Sequence, residues 1–487
     1  MTAAMTEAMR ATPPSAAATA APVTAGDLWT PVRCDRTLLR KYDRPGPRYT
    51  SYPTAPQFRA GFDAAAYRRL LEQSRDGGRP LSLYVHLPFC RSLCFYCGCN
   101  VTIARSAERG TAYLPLLAAE MERAAALLGA GGREVVQIHW GGGTPNFLLP
   151  ADLARLMATI RERFRLAAAC EIGVEVDPRT TSDAHLDALA ALGCNRLSVG
   201  VQDLDPEVQR AVNRVQPAEM TWRLIDGARR RGIGSINVDL VYGLPHQTPE
   251  RFAATLREVI AMQPDRLAVF SFAYLPQMLR HQRVLDPAAL PSPEIKLALL
   301  EQVVDALTGA GYVFIGMDHF ARPTDPLALA LRERTLTRNF QGYSTWAETD
   351  LVGFGASAIS QLADGFAQNL KGVEEYGRAL AAQGFAVFRG LETTGEDRLR
   401  RDVILRLMCQ FRVEKAEVER RWGIDFDQRF AAELAALAPL AADGLVELGA
   451  ERLEVTPVGR LLVRNVAMAF DAYLGDAAAG TGFSRTV

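Results

Sequence analysis

The chain has no surplus of charge of either sign: 55 lysines and arginines balance 55 aspartates and glutamates across 487 residues. A protein that coats nucleic acid without regard to sequence needs a basic footprint, so that class is excluded, although a local basic pocket for an acidic small molecule is not. Long apolar runs are also missing, and nothing approaches the ~20 residues of a membrane-spanning helix. The first 26 residues are rich in Ala, Thr and Pro, have no continuous apolar stretch and are interrupted at Pro13 and Pro14. A secretory signal is therefore not expected, and residues 1–37 read as a disordered leader. No G-x-G-x-x-G follows a strand pattern, which removes the dinucleotide-binding fingerprint. Cysteine is scarce and uneven: of eight, four lie within ten residues, while Cys34, Cys170, Cys194 and Cys409 are scattered as buried free thiols would be. That is no disulfide framework, and a reducing cytoplasm is the expected compartment. With 48% hydrophobic and 23% charged residues, the composition supports a large buried core, and the length suggests two domains plus a tail.

The crowded segment is Cys90-Arg-Ser-Leu-Cys94-Phe-Tyr-Cys97-Gly-Cys99, directly after the apolar run Leu81–Leu87. Its first three cysteines have the spacing C-x₃-C-x₂-C. A tetrahedral zinc site or an electron-transfer cluster takes four protein ligands. Three thiolates on one loop instead hold a four-iron cluster and leave one iron open to a small molecule. A zinc knuckle with Cys99 as fourth ligand, or buried free thiols, is the competing reading of the loop alone.

Short runs rich in Val, Ile and Leu alternate with amphipathic stretches from Leu81 to about Phe320. Strands are expected at 81–87, 135–140, 172–176, 196–201, 236–241, 267–272 and 313–317. Helices are expected at 113–128, 151–164, 183–192, 218–231, 249–262 and 292–310. Such alternation means βαβ units and a parallel sheet, an open or complete (β/α) barrel. In barrels the site is built at the C-terminal strand ends. Polar residues recur there: the cysteine loop, Gly141 to Pro145, Glu175 and Asp177, Gln202 and Asp203, Asp239, then Ala273 and Tyr274.

Each has a job and a bland alternative. Gly142, Gly143 and Thr144 would offer amide groups to a closely approaching ligand, or simply make a tight turn. Glu175 and Asp239 suit ammonium and ribose hydroxyls, or are salt-bridged carboxylates. Tyr96 could stack on an adenine or fill the core. His86 could move protons near the cysteines or be a satisfied strand-end histidine. Upstream, the Arg- and Tyr-rich arm around Arg48–Tyr52 is either a surface segment or a lid. Beyond Gln361 the rhythm changes. Helices at 400–409 and 429–440, strands at 443–448 and 453–456 and a helix at 457–470 make a winged-helix-like pattern. The absent basic excess favours a packing or lid role for it.

The cysteine loop resembles that of the radical S-adenosylmethionine (SAM) enzymes. Longer motifs narrow the resemblance: Tyr84-Val-His-Leu-Pro-Phe-Cys90, His139-Trp-Gly-Gly-Gly-Thr-Pro145, Glu175-Val-Asp-Pro178, Asn237-Val-Asp-Leu-Val-Tyr-Gly-Leu-Pro245, Gly316-Met-Asp-His-Phe-Ala-Arg-Pro323 and Arg338-Asn-Phe-Gln-Gly-Tyr343. From about Leu38 to the C-terminus the chain is similar to the oxygen-independent coproporphyrinogen III oxidases. The resemblance implies an α/β fold, an incomplete (β/α)₆ TIM-like barrel with a mostly helical C-terminal domain. It divides the chain into an arm or lid at 38–80, a barrel and substrate segment at 81–361, and a C-terminal domain at 362–487. It implies that two propionates of coproporphyrinogen III are oxidatively decarboxylated to vinyls through a 5′-deoxyadenosyl radical. It also implies a [4Fe–4S] cluster on Cys90, Cys94 and Cys97, with Cys99 free, and two SAM molecules. SAM contacts would fall on Tyr84, Tyr96, Gly142, Gly143, Thr144, Glu175, Gln202, Arg214, Asp239, Ala273 and Ile359, and further functional positions on His86, Cys99, Phe340 and Gln341. Expected partners are the porphyrinogen and a flavodoxin- or ferredoxin-type reductant, with no nucleic acid and no membrane span, on a monomer. A related haem-binding chaperone is the alternative; Cys99, the 45–52 arm and the 339–343 segment speak for the enzyme.

Overall fold

The computed structural model describes residues 32–474 and 483–486. Most of the expected leader lies outside them. Its last residues are already ordered: Arg33 N–H donates to the Pro457 carbonyl, and Asp35 caps the helix Arg36–Tyr42.

The frame is one mixed sheet of thirteen strands. Twelve are labelled here: β1 Leu81–Leu87, β2 Glu134–Gly142, β3 Arg165–Val176, β4 Arg196–Gln202, β5 Ser235–Tyr242, β6 Arg266–Ser271, β7 Val313–Gly316, β8 His319–Ala321, β9 Asp350–Phe354, β10 Ile359–Leu362, β11 Gly365–Asn369 and β12 Val387–Glu392. The spatial order is Arg59–Ala60, β12, β11, β10, β9, β1, β2, β3, β4, β5, β6, β8, β7. From β9 through β1 to β6 every neighbour is parallel. The flanking strands are antiparallel.

Five of the first six expected strands recur within two residues of their predicted bounds; β3 ends at the expected Val176 but begins at Arg165, seven residues before its expected start. Two features differ. Val313–Gly316 does not extend the parallel series; it is the sheet edge, antiparallel to β8, because the chain reverses at Gly316 and Met317, both with positive φ. The place beside β1 is taken by β9, five residues arriving from far along the chain. A boundary at 361/362 would cut the β10–β11 hairpin, and the sheet continues to Glu392.

Strands of a parallel sheet covered on both faces read as continuous apolar runs. These do not, and the exception locates the site. In β1 to β6 the fully buried rows are Leu83 and Val85, Ile138 and Trp140, Val174, Leu197 and Val199, Ile236 and Val238, and Leu267. The alternate residues are Tyr84 and His86, His139, Glu175, Ser198, Asn237 and Asp239, and Arg266. Because successive side chains point to opposite faces, one face packs under helices such as Glu108–Leu128 and Pro150–Arg163 while the other presents a polar row.

At the C-terminal end, Arg412–Glu414, Val446–Leu448 and Arg452–Val455 form a small antiparallel sheet with 452–455 in the middle. The first of these strands was not expected. The helix expected at 457–470 is a 3₁₀ turn, the short α-helix Val463–Ala467 and a second 3₁₀ turn.

Candidate active site

A cavity of about 510 Å³ lies on the polar face. Its walls include Cys90, Cys94, Cys97 and Cys99, then Tyr96, Gly142, Gly143, Thr144, Glu175, Gln202, Arg214 and Asp239. The cysteine loop is pinned to the strand tips. Phe89–Cys90 pairs with Thr102–Ile103, Gly143 N–H donates to the Leu87 carbonyl (2.9 Å), and Thr144 N–H donates to the Phe89 carbonyl (2.9 Å). Gly142 N–H is taken by a Glu175 carboxylate oxygen at 3.1 Å. The amides expected to be free at 142–144 are thus spent inside the protein. Their glycines serve close packing: a Cβ on Gly143 would stand 2.7–2.8 Å from the backbone of Leu87, Pro88 and Phe89, and one on Gly142 would enter the His86 ring.

The thiols meet cations. Arg179 and Arg214 each reach Cys94 Sγ, at 3.6 and 3.7 Å. A hydrogen bond from Cys99, with His281 and Arg214 nearby, brings the Cys97 thiol down to about 6. Burial pushes Cys90 up to about 11 despite the Thr144 hydroxyl at 3.3 Å. Asp177 holds both arginines, with Arg179 at 2.7 Å and Arg214 at 3.3 Å, and these contacts outweigh burial to lower its carboxyl. Arg214 also donates to the Gly200 carbonyl at 2.6 Å.

Glu175 Oε1 pairs with His139 Nε2 at 3.0 Å, yet 41% of its side chain stays open. Burial would raise its carboxyl; the hydrogen bonds from His139 and Gly142 prevail and hold it below the usual range. Asp239 moves the other way, up to about 6, through burial and then the neighbouring Glu175 charge, although Ser198 (2.9 Å) and Asn237 (2.8 Å) donate to it. The two carboxylates are thereby set apart, one firmly ionised and one poised.

A second cavity of about 300 Å³ shares Cys99, His139, Gly142, Glu175 and Gln341 with the first and adds Tyr84, His86, Phe340 and Ile359. His86 Nδ1 lies 3.0 Å from the Tyr84 hydroxyl and Nε2 3.0 Å from the Asn100 carbonyl, and burial depresses its pKa, so the ring is neutral. Phe340 packs edge-on against Phe58 and Phe366. Buried Gln341 Nε2 has no partner.

Ala273 is exposed and forms no wall of either cavity. Its carbonyl accepts from Gln282 Nε2 at 3.1 Å, as does that of Tyr96 at 3.3 Å. Tyr96 packs against Val208, Val212, Val241, Leu244 and Phe272 as well as lining the cavity. Asp203 is structural, bonded to Thr255 Oγ1 at 2.7 Å and the Asp205 amide at 2.8 Å. Sequence reasoning missed His139, Arg179, His281 and Gln282. His139 opens a quoted motif and Arg179 follows another, so their neighbourhood was a signal; the last two had none.

The arm is no loose flap. Tyr49 and Tyr52 are 1% and 0% exposed, Tyr49 donates to Asp471 at 2.9 Å, and Arg464 donates to the Pro47 carbonyl at 2.9 Å. Arg48 is ion-paired with Asp318.

Residues 84–259 match the family model of the Radical SAM superfamily and residues 393–462 that of the HemN C-terminal domain. The class defined by the sheet and the cysteine-lined cavity is therefore the radical SAM enzymes. The chain is 49% identical over 453 residues to the oxygen-independent coproporphyrinogen III oxidase of Escherichia coli (strain K12), covering 93% of this chain and 98% of that one. Its counterpart from Pseudomonas aeruginosa is 47% identical, covering 91% and 96%. The solved structure of the E. coli protein, described as a radical SAM enzyme, superimposes with TM-score 0.87 at 48% identity over 91% of this chain and all of that one. The chain belongs to the oxygen-independent coproporphyrinogen III oxidases. A [4Fe–4S] cluster and SAM are the cofactors of this class. The residues present fit them: thiols beside cations on one wall, as thiolate ligands require, carboxylates on the next, and the buried Arg214 Nε still without a partner.

Proposed function

We propose that the protein converts coproporphyrinogen III to protoporphyrinogen IX without oxygen, turning two propionates into vinyl groups with release of CO₂. One observation carries this reading: the three thiols of the C-x₃-C-x₂-C loop line a single cavity with Glu175, Asp239 and Arg214. Cys90, Cys94 and Cys97 would hold the cluster, and Cys99 would stay free beside the second cavity. When bound, the cluster and SAM would supply a 5′-deoxyadenosyl radical to take a hydrogen atom from the propionate β-carbon; loss of CO₂ and one electron would leave the vinyl group, with one SAM per vinyl as the net oxidant, released as methionine and 5′-deoxyadenosine. The protein's own groups bind and exclude. Glu175 and Asp239 accept from SAM's ammonium and hydroxyl groups, and Gln202 and Arg214 orient it. Tyr84, Tyr96, Gly142, Gly143, Thr144 and Ile359, all on the walls of the two cavities, complete the SAM contacts. Neutral His86, hydrogen-bonded to Tyr84, can accept a proton at Nδ1 near the second cavity.

That cavity, with Phe340 and Gln341 on its wall, is the proposed place of a second SAM. The architecture in this reading is an incomplete (β/α)₆ barrel with a winged-helix-like C-terminal part. The arm around Arg48–Tyr52, tied to residues 464–472, closes the site against water, which a reactive carbon radical requires. The protein works as a cytoplasmic monomer fed by a flavodoxin- or ferredoxin-type donor. No described helix is long and apolar enough to cross a membrane.

The deciding experiment is an anaerobic assay with coproporphyrinogen III, SAM and a reductant. Protoporphyrinogen and methionine should appear together. SAM cleavage with no change in the porphyrinogen would overturn the substrate assignment.

A further inference from the structure

The 510 Å³ cavity is polar at both ends: thiols and carboxylates mixed with Arg179 and Arg214 at one, arginines and a histidine at the other. The cysteine loop, Glu175 and Asp177 stand at the C-terminal ends of the strands. Arg196 and Arg266 are the first residues of β4 and β6; Arg196 pairs in register with Gly173 and Arg266 with Asn237, two residues below Glu175 and Asp239 respectively, or ~7 Å deeper at the rise of a strand. His319 joins them on the wall, on β8 opposite Ala268 of β6.

We propose that this deep end, built by Arg266, Arg196 and His319, is the anchor for a carboxylate of the substrate, a reading that rests on the function proposed above. Three observations point there. First, polar atoms are left over: the donors Arg266 Nη1 and Arg196 Nε, and His319 Nδ1, are buried and have no hydrogen-bond partner among the described residues, and Arg266 is only 4% exposed. A fold rarely strands buried donors unless something meets them in the working state. Second, the cations outnumber their acids. Arg48 pairs with Asp318, Arg196 with Glu171 and Arg266 with Asp325. Arg338 does not itself line the cavity but stacks at 4.6 Å over the ring of Tyr343, which does; it is 4% exposed, forms no ion pair among the described residues, and its Nε and Nη1 are unpartnered among them. All four arginines press on His319 and hold it neutral. A buried cation without a counter-charge is costly, so an anion is the matching ligand. Third, the shape suits a carboxylate: Arg266 is fixed through Nε to both Asp325 oxygens at 2.9 and 2.8 Å, which leaves the far side of its fork free. An arginine fork recognises a carboxylate by paired donors. A tetracarboxylate macrocycle would be held there through one of its carboxylates.

The test measures binding to the anaerobically reconstituted full chain. Coproporphyrin III, which keeps the four carboxylates, is compared with its tetramethyl ester, and SAM affinity and iron content are measured alongside. Arg266→Lys keeps the charge that Asp325 needs but loses the free half of the fork. Arg338→Met removes a cation with no acid to orphan. Each should bind coproporphyrin III at least tenfold more weakly, with SAM affinity and iron unchanged and with preference over the ester reduced. Arg338→Met should melt no lower than the parent, and Arg338→Lys should restore most of the affinity. A purely structural role predicts the reverse, a lower melting temperature with porphyrin binding intact. Wild-type affinity in both Arg266→Lys and Arg338→Met overturns the anchor alone. A parent protein that fails to bind coproporphyrin III overturns the functional reading and the anchor with it.

Discussion

Replacing Glu175 by glutamine asks whether the third strand's carboxylate binds ligand or only holds the sheet. The side chain does some of both. One oxygen meets His139 Nε2 at 3.0 Å and the other meets Gly142 N–H at 3.1 Å, while 41% of it stays open. Glutamine is isosteric but offers one acceptor where the carboxylate offered two: its oxygen can keep Gly142 N–H, and His139 keeps a partner only by switching to the tautomer whose Nε2 accepts from the new amide. Because the group is partly open, water can compensate, and the stability cost should be about 1 kcal/mol or less. The ligand side is dearer. Hydrogen bonds to a charged group are worth about 1.5–3 kcal/mol, so the SAM dissociation constant should rise roughly tenfold to 150-fold. Both quantities can be read on one reconstituted, anaerobic sample, by equilibrium binding of SAM and by thermal melting, with iron content as a control for the loop. A variant that binds SAM within twofold of the parent while melting several degrees lower would refute the ligand role and leave Glu175 as a clamp on His139.

Reconstituted protein should carry about four irons; Cys90→Ala, Cys94→Ala and Cys97→Ala should lose them, whereas Cys99→Ala should keep them. Equal loss in the Cys99 variant would revive a four-cysteine site. Asp239, with its pKa raised to about 6, should be ionised and competent above that pH and protonated below it. SAM affinity should therefore fall about tenfold per unit as the medium is acidified below pH 6, and an Asp239→Asn variant showing the same slope would place the titration elsewhere. Gly143→Ala would press a methyl against Leu87, Pro88 and Phe89 at 2.7–2.8 Å; overpacking of this kind should cost about 1–3 kcal/mol, read as a lower melting temperature with partial loss of iron, and an unchanged melt would show that the turn yields freely.

Chemistry-bearing residues were legible where they obeyed a local rule. The thiol spacing is a property of ten consecutive residues, and the rhythm of apolar runs and helical stretches from Leu81 to about Phe320, with polar residues after successive runs, is local too. From these came the parallel sheet, the cysteine loop and the polar rim with Glu175, Gln202 and Asp239. Legibility failed where the partner was distant. Asp177 and Asp203 look alike as carboxylates after strands, yet one gathers Arg179 and Arg214 in the cavity and the other is bonded to Thr255. Gln282 ties Tyr96 to Ala273 with no motif to announce it. The place of β9 beside β1, the burial of Tyr49 and Tyr52 against the C-terminal segment, and the lack of an ion pair for Arg338 among the described residues were equally hidden. By itself the sequence determined which residues could do chemistry and which face of each strand they would share, because both are short-range consequences of bond geometry. The tertiary structure decided which of them meet, which amides and carboxylates are already spent, and where uncompensated charge remains, because pairing and desolvation depend on segments brought together from hundreds of residues apart.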